Sequence, residues 1–177
     1  MVTKEALIAF DAFLVSKAEL FEATVTGGTA LILLDVVSRL TEDLDLIDPD
    51  LEIGKRLLAI EFAEQHPEFE LDVAWINDAA SIFKKDLPKG WMDRRVVAFD
   101  GQALRLMTLG RDDFLIAKMK SYLSRGAVDT GDCIALKPNR KEFETAERYI
   151  YSLLPQDEIS AAKREFDLLA AEMKLSR

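Results

Sequence analysis

Between Val25 and Asp48 the chain passes through a short β-branched step, a glycine pair, an apolar stretch, and then Asp43-Leu44-Asp45-Leu46. No other segment limits the possible folds so strongly. Val25-Thr26 reads as a short strand leading into Gly27-Gly28, and Thr29 to Ser38, apolar almost all round, reads as a helix packed between a sheet and other helices. The alternation of acid and leucine is the period-two pattern of another strand. Strand, buried helix and strand in so short a span require a layered α/β arrangement.

The acids are the unusual part of that pattern. Residues i and i+2 of a strand share a face, so Asp43 and Asp45 project side by side, and each raises the cost of ionising the other unless positive charge lies between them. A divalent cation is the simplest remedy, and Mg²⁺ commonly links carboxylates to substrate phosphates. A third acid on a neighbouring strand would complete such a site. Asp72, flanked by Leu71 and Val73, is the natural candidate, with Asp78 in Trp75-Ile76-Asn77-Asp78 as its rival. Gly27 and Gly28 lack a Cβ, so backbone N–H groups there can approach a phosphate, and the helix beginning near Thr29 directs its positive end to the same place.

The rest of the chain extends the layered reading. Ala6, Leu7, Phe10, Phe13, Leu14 and Leu20 recur at helical spacing over residues 3 to about 21. Asp50 can cap a helix that runs to about His66 and ends at Pro67, with His66 as a favourable C-terminal group. Phe69, Leu71, Val73 and Trp75 alternate with their neighbours as a strand does. Arg94 to Phe99 and Gln102 to Met107, joined by Asp100-Gly101, predict a hairpin with a type I′ turn. From Gly110 the pattern is helical: a helix capped by Asp112 or Asp113 and running to Arg125, then helices near 132–137, 139–154 and 156–174. The expected organisation is an α/β core at 1–108 and a helical region at 109–177 packed on it as one compact unit. Trp75, Trp91 and Cys133 read as packing residues.

Composition removes several function classes. The formal net charge of -9 opposes an extended DNA or RNA footprint, although Lys84, Lys85, Lys89, Arg94 and Arg95 gather in one stretch. One cysteine and one histidine cannot build a zinc cluster, so any metal here is a hard cation held by oxygen. No apolar run approaches the roughly 20 residues of a membrane span. The N-terminus lacks the basic start and apolar core of a signal peptide, and the expected setting is the cytoplasm.

Gly27-Gly28 followed by Arg39, Thr41, Asp43 and Asp45, in the order G-G then R-x-T-x-D-h-D, resembles the signature of the nucleotidyltransferase fold, in particular the AbiEii-type and minimal nucleotidyltransferases of bacterial toxin–antitoxin systems. Lys118, Met119, Ser121, Tyr122, Arg125, Asp129 and Asp132 resemble that family's second motif. The resemblance implies a mixed sheet flanked by helices, two Mg²⁺ ions, and transfer of a nucleoside monophosphate from an NTP to an RNA end, such as that of a tRNA, or to a protein side chain. It implies metal ligation by Asp43, Asp45 and Asp72. Gly27, Gly28, Thr29, Arg39, Thr41 and Lys118 would contact the nucleotide, and Asp129 would assist catalysis. A cognate toxin or antitoxin partner is also implied. Two readings stay open beside it: Arg125, Asp129 and Asp132 can equally form a structural ion network, and the domain can be a non-catalytic module that binds a nucleotide or a protein.

Overall fold

In the computed structural model, which describes residues 1–38 and 40–175, the α/β pattern and the helical pattern separate into two units. The first comprises Met1–Lys85 and Gly90–Gly110; the second comprises Asp86–Lys89 and the chain from Arg111 onward. The fold is the expected mixed sheet flanked by helices.

Five strands build the sheet of the first unit. They are β1 (Phe21–Thr26), β2 (Leu44–Asp48), β3 (Ile76–Asn77), β4 (Val96–Asp100) and β5 (Leu104–Thr108), in the order β3-β2-β1-β5-β4. β1 is central, antiparallel to β2 and parallel to β5, while β2 and β3 run parallel. Ala23, Thr24 and Val25 of β1 are all buried, as expected of a middle strand covered on both faces. Helix α1 (Lys4–Ser16) starts at Thr3, whose hydroxyl accepts the Ala6 N–H, and ends well before the expected residue 21. Ala18, at φ 54°, turns the chain so that Phe21 enters the sheet instead. The short α2 (Gly27–Leu33) and then α3 (Ile53–Gln65) follow β1 and β2. Phe10 of α1 meets Phe62 of α3 and Trp75, each at 5.1 Å between ring centroids, with Phe13 and Phe21 adjoining. The Trp75 indole donates to the Ala59 carbonyl at 2.9 Å, so its one polar atom is satisfied inside the cluster.

Two further local expectations fail for identifiable reasons. The run Phe69–Ile76 is not a strand until Ile76: Pro67–Phe69 forms a 3-10 turn, Glu70 is left-handed at φ 50°, and the Asp72 carboxylate accepts the Ala74 N–H at 2.8 Å to make a side-chain turn. Alternation cannot register such competing hydrogen bonds. The hairpin of β4 and β5 is present, but Gly101 lacks the positive φ of a type I′ turn. Its connection is held instead by Asp11 of α1, whose carboxylate accepts the N–H groups of Gln102, Ala103 and Leu104 at 2.7–3.1 Å. A Cβ on Gly101 would lie 2.3 Å from Asp11 Oδ1, so glycine there serves close approach.

The second unit contains α4 (Arg111–Arg125), α5 (Thr130–Ala135), α6 (Arg140–Tyr151) and α7 (Ile159–Glu172). α6 begins with a capping box in which Asn139 and Glu142 exchange side-chain and backbone hydrogen bonds. Phe143 and Tyr151 of α6 pack against Phe166 of α7 at centroid distances of 6.2 and 5.9 Å. Among the described residues no helix is long and apolar enough to cross a membrane.

Candidate functional site

Gly27 and Asp45 of the first motif meet at the end of β1. Thr26 pairs with Asp45 across the β1–β2 ladder, and the next residue, Gly27, opens α2 with φ 71°. A Cβ on Gly27 would lie 2.3 Å from Asp45 Oδ2, a separation no side chain tolerates, so the glycine is what admits the carboxylate to the turn. Thr29, 2% exposed, donates its hydroxyl to the Asp43 carbonyl at 2.6 Å and ties the start of α2 to the residue entering β2. Asp43 and Asp45 are both half-buried. No described residue pairs with the Asp43 carboxylate. Gly28 is half-buried in the first turn of α2, and Thr41 forms an isolated antiparallel bridge with Val2. Arg39 lies outside the described residues.

The neighbouring strand supplies a different third residue from the one expected. Parallel pairing of β2 with β3 sets Asn77, not Asp72, beside Asp45. The Asn77 amide nitrogen donates to Asp45 Oδ1 at 3.2 Å, and its oxygen accepts the Ala79 N–H at 3.1 Å. Asp72 is exposed, precedes the strand, and spends an oxygen on its own turn. Asp78 accepts the Leu51 N–H at 2.8 Å and approaches Arg56 Nη2 at 3.4 Å; that N–H above all, aided by Arg56, holds its carboxyl below the usual carboxylate range. Among the described residues no three His, Cys, Asp or Glu side chains are grouped to hold a metal ion. Asn77 can be read from the sequence only through register: Ile76-Asn77 must be aligned with Leu44-Asp45, and the short β3 gives alternation too few residues to show it.

The second motif lies in the second unit. Lys118 of α4, 4% exposed, places Nζ 2.7 Å from Asp132 Oδ2 and 3.9 Å from Asp129 Oδ1. Arg125 grips Asp129 with two nitrogens at 2.6 and 2.7 Å. Asp129 and Asp132 are 1% and 4% exposed, so two buried carboxylates are neutralised by the buried Lys118 and the exposed Arg125, and the network joins α4 to α5. Beside them Cys133 is fully buried, and burial, reinforced by Asp129, pushes its thiol up to about 12 despite the opposing charge of Lys118. The thiol is therefore not a nucleophile at neutral pH.

The basic stretch at 84–95 is partly committed within the protein. Lys84 binds Asp48 at 2.8 Å and Asp50 at 3.4 Å, and the hydrogen bond to Asp48 raises its ammonium above the ordinary lysine value. Arg95 bridges the Met92 carbonyl and the Thr24 hydroxyl. His66 ends α3 as expected, with Nδ1 2.9 Å from Glu68 and its ring against Phe62 and Phe69.

No curated protein and no solved structure matched the chain. A family model does match it over residues 5–135, a span that holds both motifs and most of the chain. The protein belongs to the family described as nucleotidyltransferase of unknown function, DUF6036.

Proposed function

We propose that the protein moves a nucleoside monophosphate from an NTP to an acceptor, with the reaction centred on Asp43 and Asp45. One observation carries this reading: the Asp45 carboxylate rests against Gly27 at the strand-to-helix turn, with Asp43 two residues earlier. A triphosphate drawn to that turn meets carboxylate oxygens, and the repulsion is relieved by a cation between them. The donor set suits Mg²⁺, which is commonly bound through one or two carboxylates together with substrate phosphates. When bound, such an ion polarises the α-phosphate and lowers the pKa of an attacking hydroxyl.

The chain's own contribution is positioning. Asp43 and Asp45 would hold the ion, Asn77 fixes Asp45 through Oδ1, and Thr29 fixes the backbone at Asp43. Gly27 and Gly28 leave room for phosphate oxygens, and Arg39 and Thr41 belong to the nucleotide side of the same motif. Asp72 enters the reaction only if its turn rearranges. Lys118 and Asp129 hold α4 to α5, and through them the second unit keeps its form. The net charge of -9 inclines the acceptor toward a protein side chain over a tRNA end, and a toxin–antitoxin partner in the cytoplasm fits the motif resemblance. Incubation with labelled NTPs, Mg²⁺ and total cellular RNA or protein tests the reading. A labelled product that disappears in Asp43→Ala supports it, and no product from either protein rejects it.

Asn77 favours a second reading, a domain that takes up nucleotide without turnover, because the residue beside Asp45 carries no negative charge. Calorimetry separates the two: a binder gives heat of association and no pyrophosphate, whereas an enzyme releases pyrophosphate once its acceptor is supplied.

A further inference from the structure

We propose that the site accepts one divalent cation per bound nucleotide, not two, and that Asn77 is the residue that sets this number. The inference rests on the reading of Asp43 and Asp45 as a cation site. Three features of the local chemistry lead to it.

The first is the orientation of the amide. The Ala79 N–H can only donate, so the Asn77 atom 3.1 Å from it is the oxygen, and the atom 3.2 Å from Asp45 Oδ1 is the nitrogen. Toward Asp45, Asn77 presents hydrogen, which repels a cation and cannot ligate one. The second is charge. The Asn77 amide meets Asp45 Oδ1 without adding a carboxylate to the pair. Aspartate at position 77 would set two carboxylates against each other and create the demand for a further cation.

The third is the lack of a substitute. The Asp78 carboxylate is committed to the Leu51 N–H and Arg56, and the exposed Asp72 carboxylate to the Ala74 N–H. Among the described residues no three acids are grouped around one point. A second ion would depend on substrate oxygens and water alone.

Native mass spectrometry of the full chain with Mn²⁺ and the α,β-methylene analogues of ATP, CTP, GTP and UTP counts the ions directly, without turnover. The expected result is one Mn²⁺ on each chain that carries one analogue, two on Asn77→Asp, one on Asn77→Ala, and loss of both ion and analogue on Asp45→Asn. Two Mn²⁺ on the wild type, or one on a folded Asn77→Asp, overturns the role of Asn77 and leaves the nucleotide site standing. Neither ion nor analogue on the wild type overturns the site itself, and this inference with it. Should Asn77→Asp not fold, as judged by circular dichroism, Asn77→Glu takes its place with the same expectation of two ions, and two Mn²⁺ on Asn77→Ala, which supplies no carboxylate, overturns the proposal.

Discussion

The acids at Asp43 and Asp45 and those at Asp129 and Asp132 occupy opposite electrostatic situations. In the second unit the carboxylates are nearly inaccessible, and Lys118 and Arg125 neutralise them. In the first unit the carboxylates are half-buried, Asp45 receives a neutral amide, and no described residue pairs with the Asp43 side chain. A closed ion network serves the structure that contains it, because removing either partner leaves a buried charge. The acids of the first unit stand half-open beside a glycine turn instead. The difference in pairing, not the number of acids, distinguishes the candidate site from the framework.

The largest effect is expected at the closed network. Lys118→Met keeps the aliphatic stem, removes the ammonium, and should cost about 3–5 kcal/mol of stability, read from the urea midpoint. A loss below about 1 kcal/mol, combined with loss of nucleotide binding, would return Lys118 to the substrate and erase the contrast between the two regions. Gly27→Ala forces a methyl into the space of Asp45 Oδ2 at a left-handed φ. It should cost about 1–3 kcal/mol and abolish cation-dependent nucleotide binding, as measured by calorimetry.

Asp11→Ala gives a smaller change, about 1 kcal/mol, because water can reach part of the hairpin tip it holds. Burial pushes the Asp11 carboxyl up, but the N–H groups of Ala103, Leu104 and Gln102 together draw it below the usual range. A depressed folded value means the stabilisation is complete above the unfolded carboxylate pKa of about 3.9 and is lost as pH falls through the folded value. The melting difference between wild type and Asp11→Ala should therefore be constant near neutrality and shrink in acid. The smallest stability effect belongs to Asp43→Asn. With no partner to lose among the described residues, it should shift stability by no more than about 0.5 kcal/mol while removing metal-dependent nucleotide binding. A large destabilisation there would place Asp43 with the framework.

How far the sequence revealed this molecule depends on the range of the interactions involved. The motif at Gly27, Asp43 and Asp45 was legible because local periodicity and one glycine turn define it, whereas the pairing of Thr26 with Asp45 is a matter of register that only the sheet reveals. The helices after Gly110 were legible for the same reason, whereas the mixed sheet was expected from the resemblance of the motifs. The short α2 was less so: apolar residues continue past Leu33, but Asp35 at φ 55° ends the helical run. Asp72 was misplaced because alternation from Phe69 to Trp75 hides a turn built by its own side chain. Asn77 was passed over because its importance arises from pairing with a residue 32 positions away. The hairpin turn was misassigned because Asp11, from the far end of the chain, substitutes for the backbone geometry that Asp-Gly commonly adopts.

The most direct test of the account is anomalous diffraction from crystals soaked with Mn²⁺ and an α,β-methylene nucleoside triphosphate. The account predicts a manganese peak touching carboxylate oxygens of both Asp43 and Asp45, with the phosphates at the Gly27 turn. A peak at Asp129 and Asp132 instead, or none at Asp43 and Asp45 while the nucleotide is bound elsewhere, would contradict it.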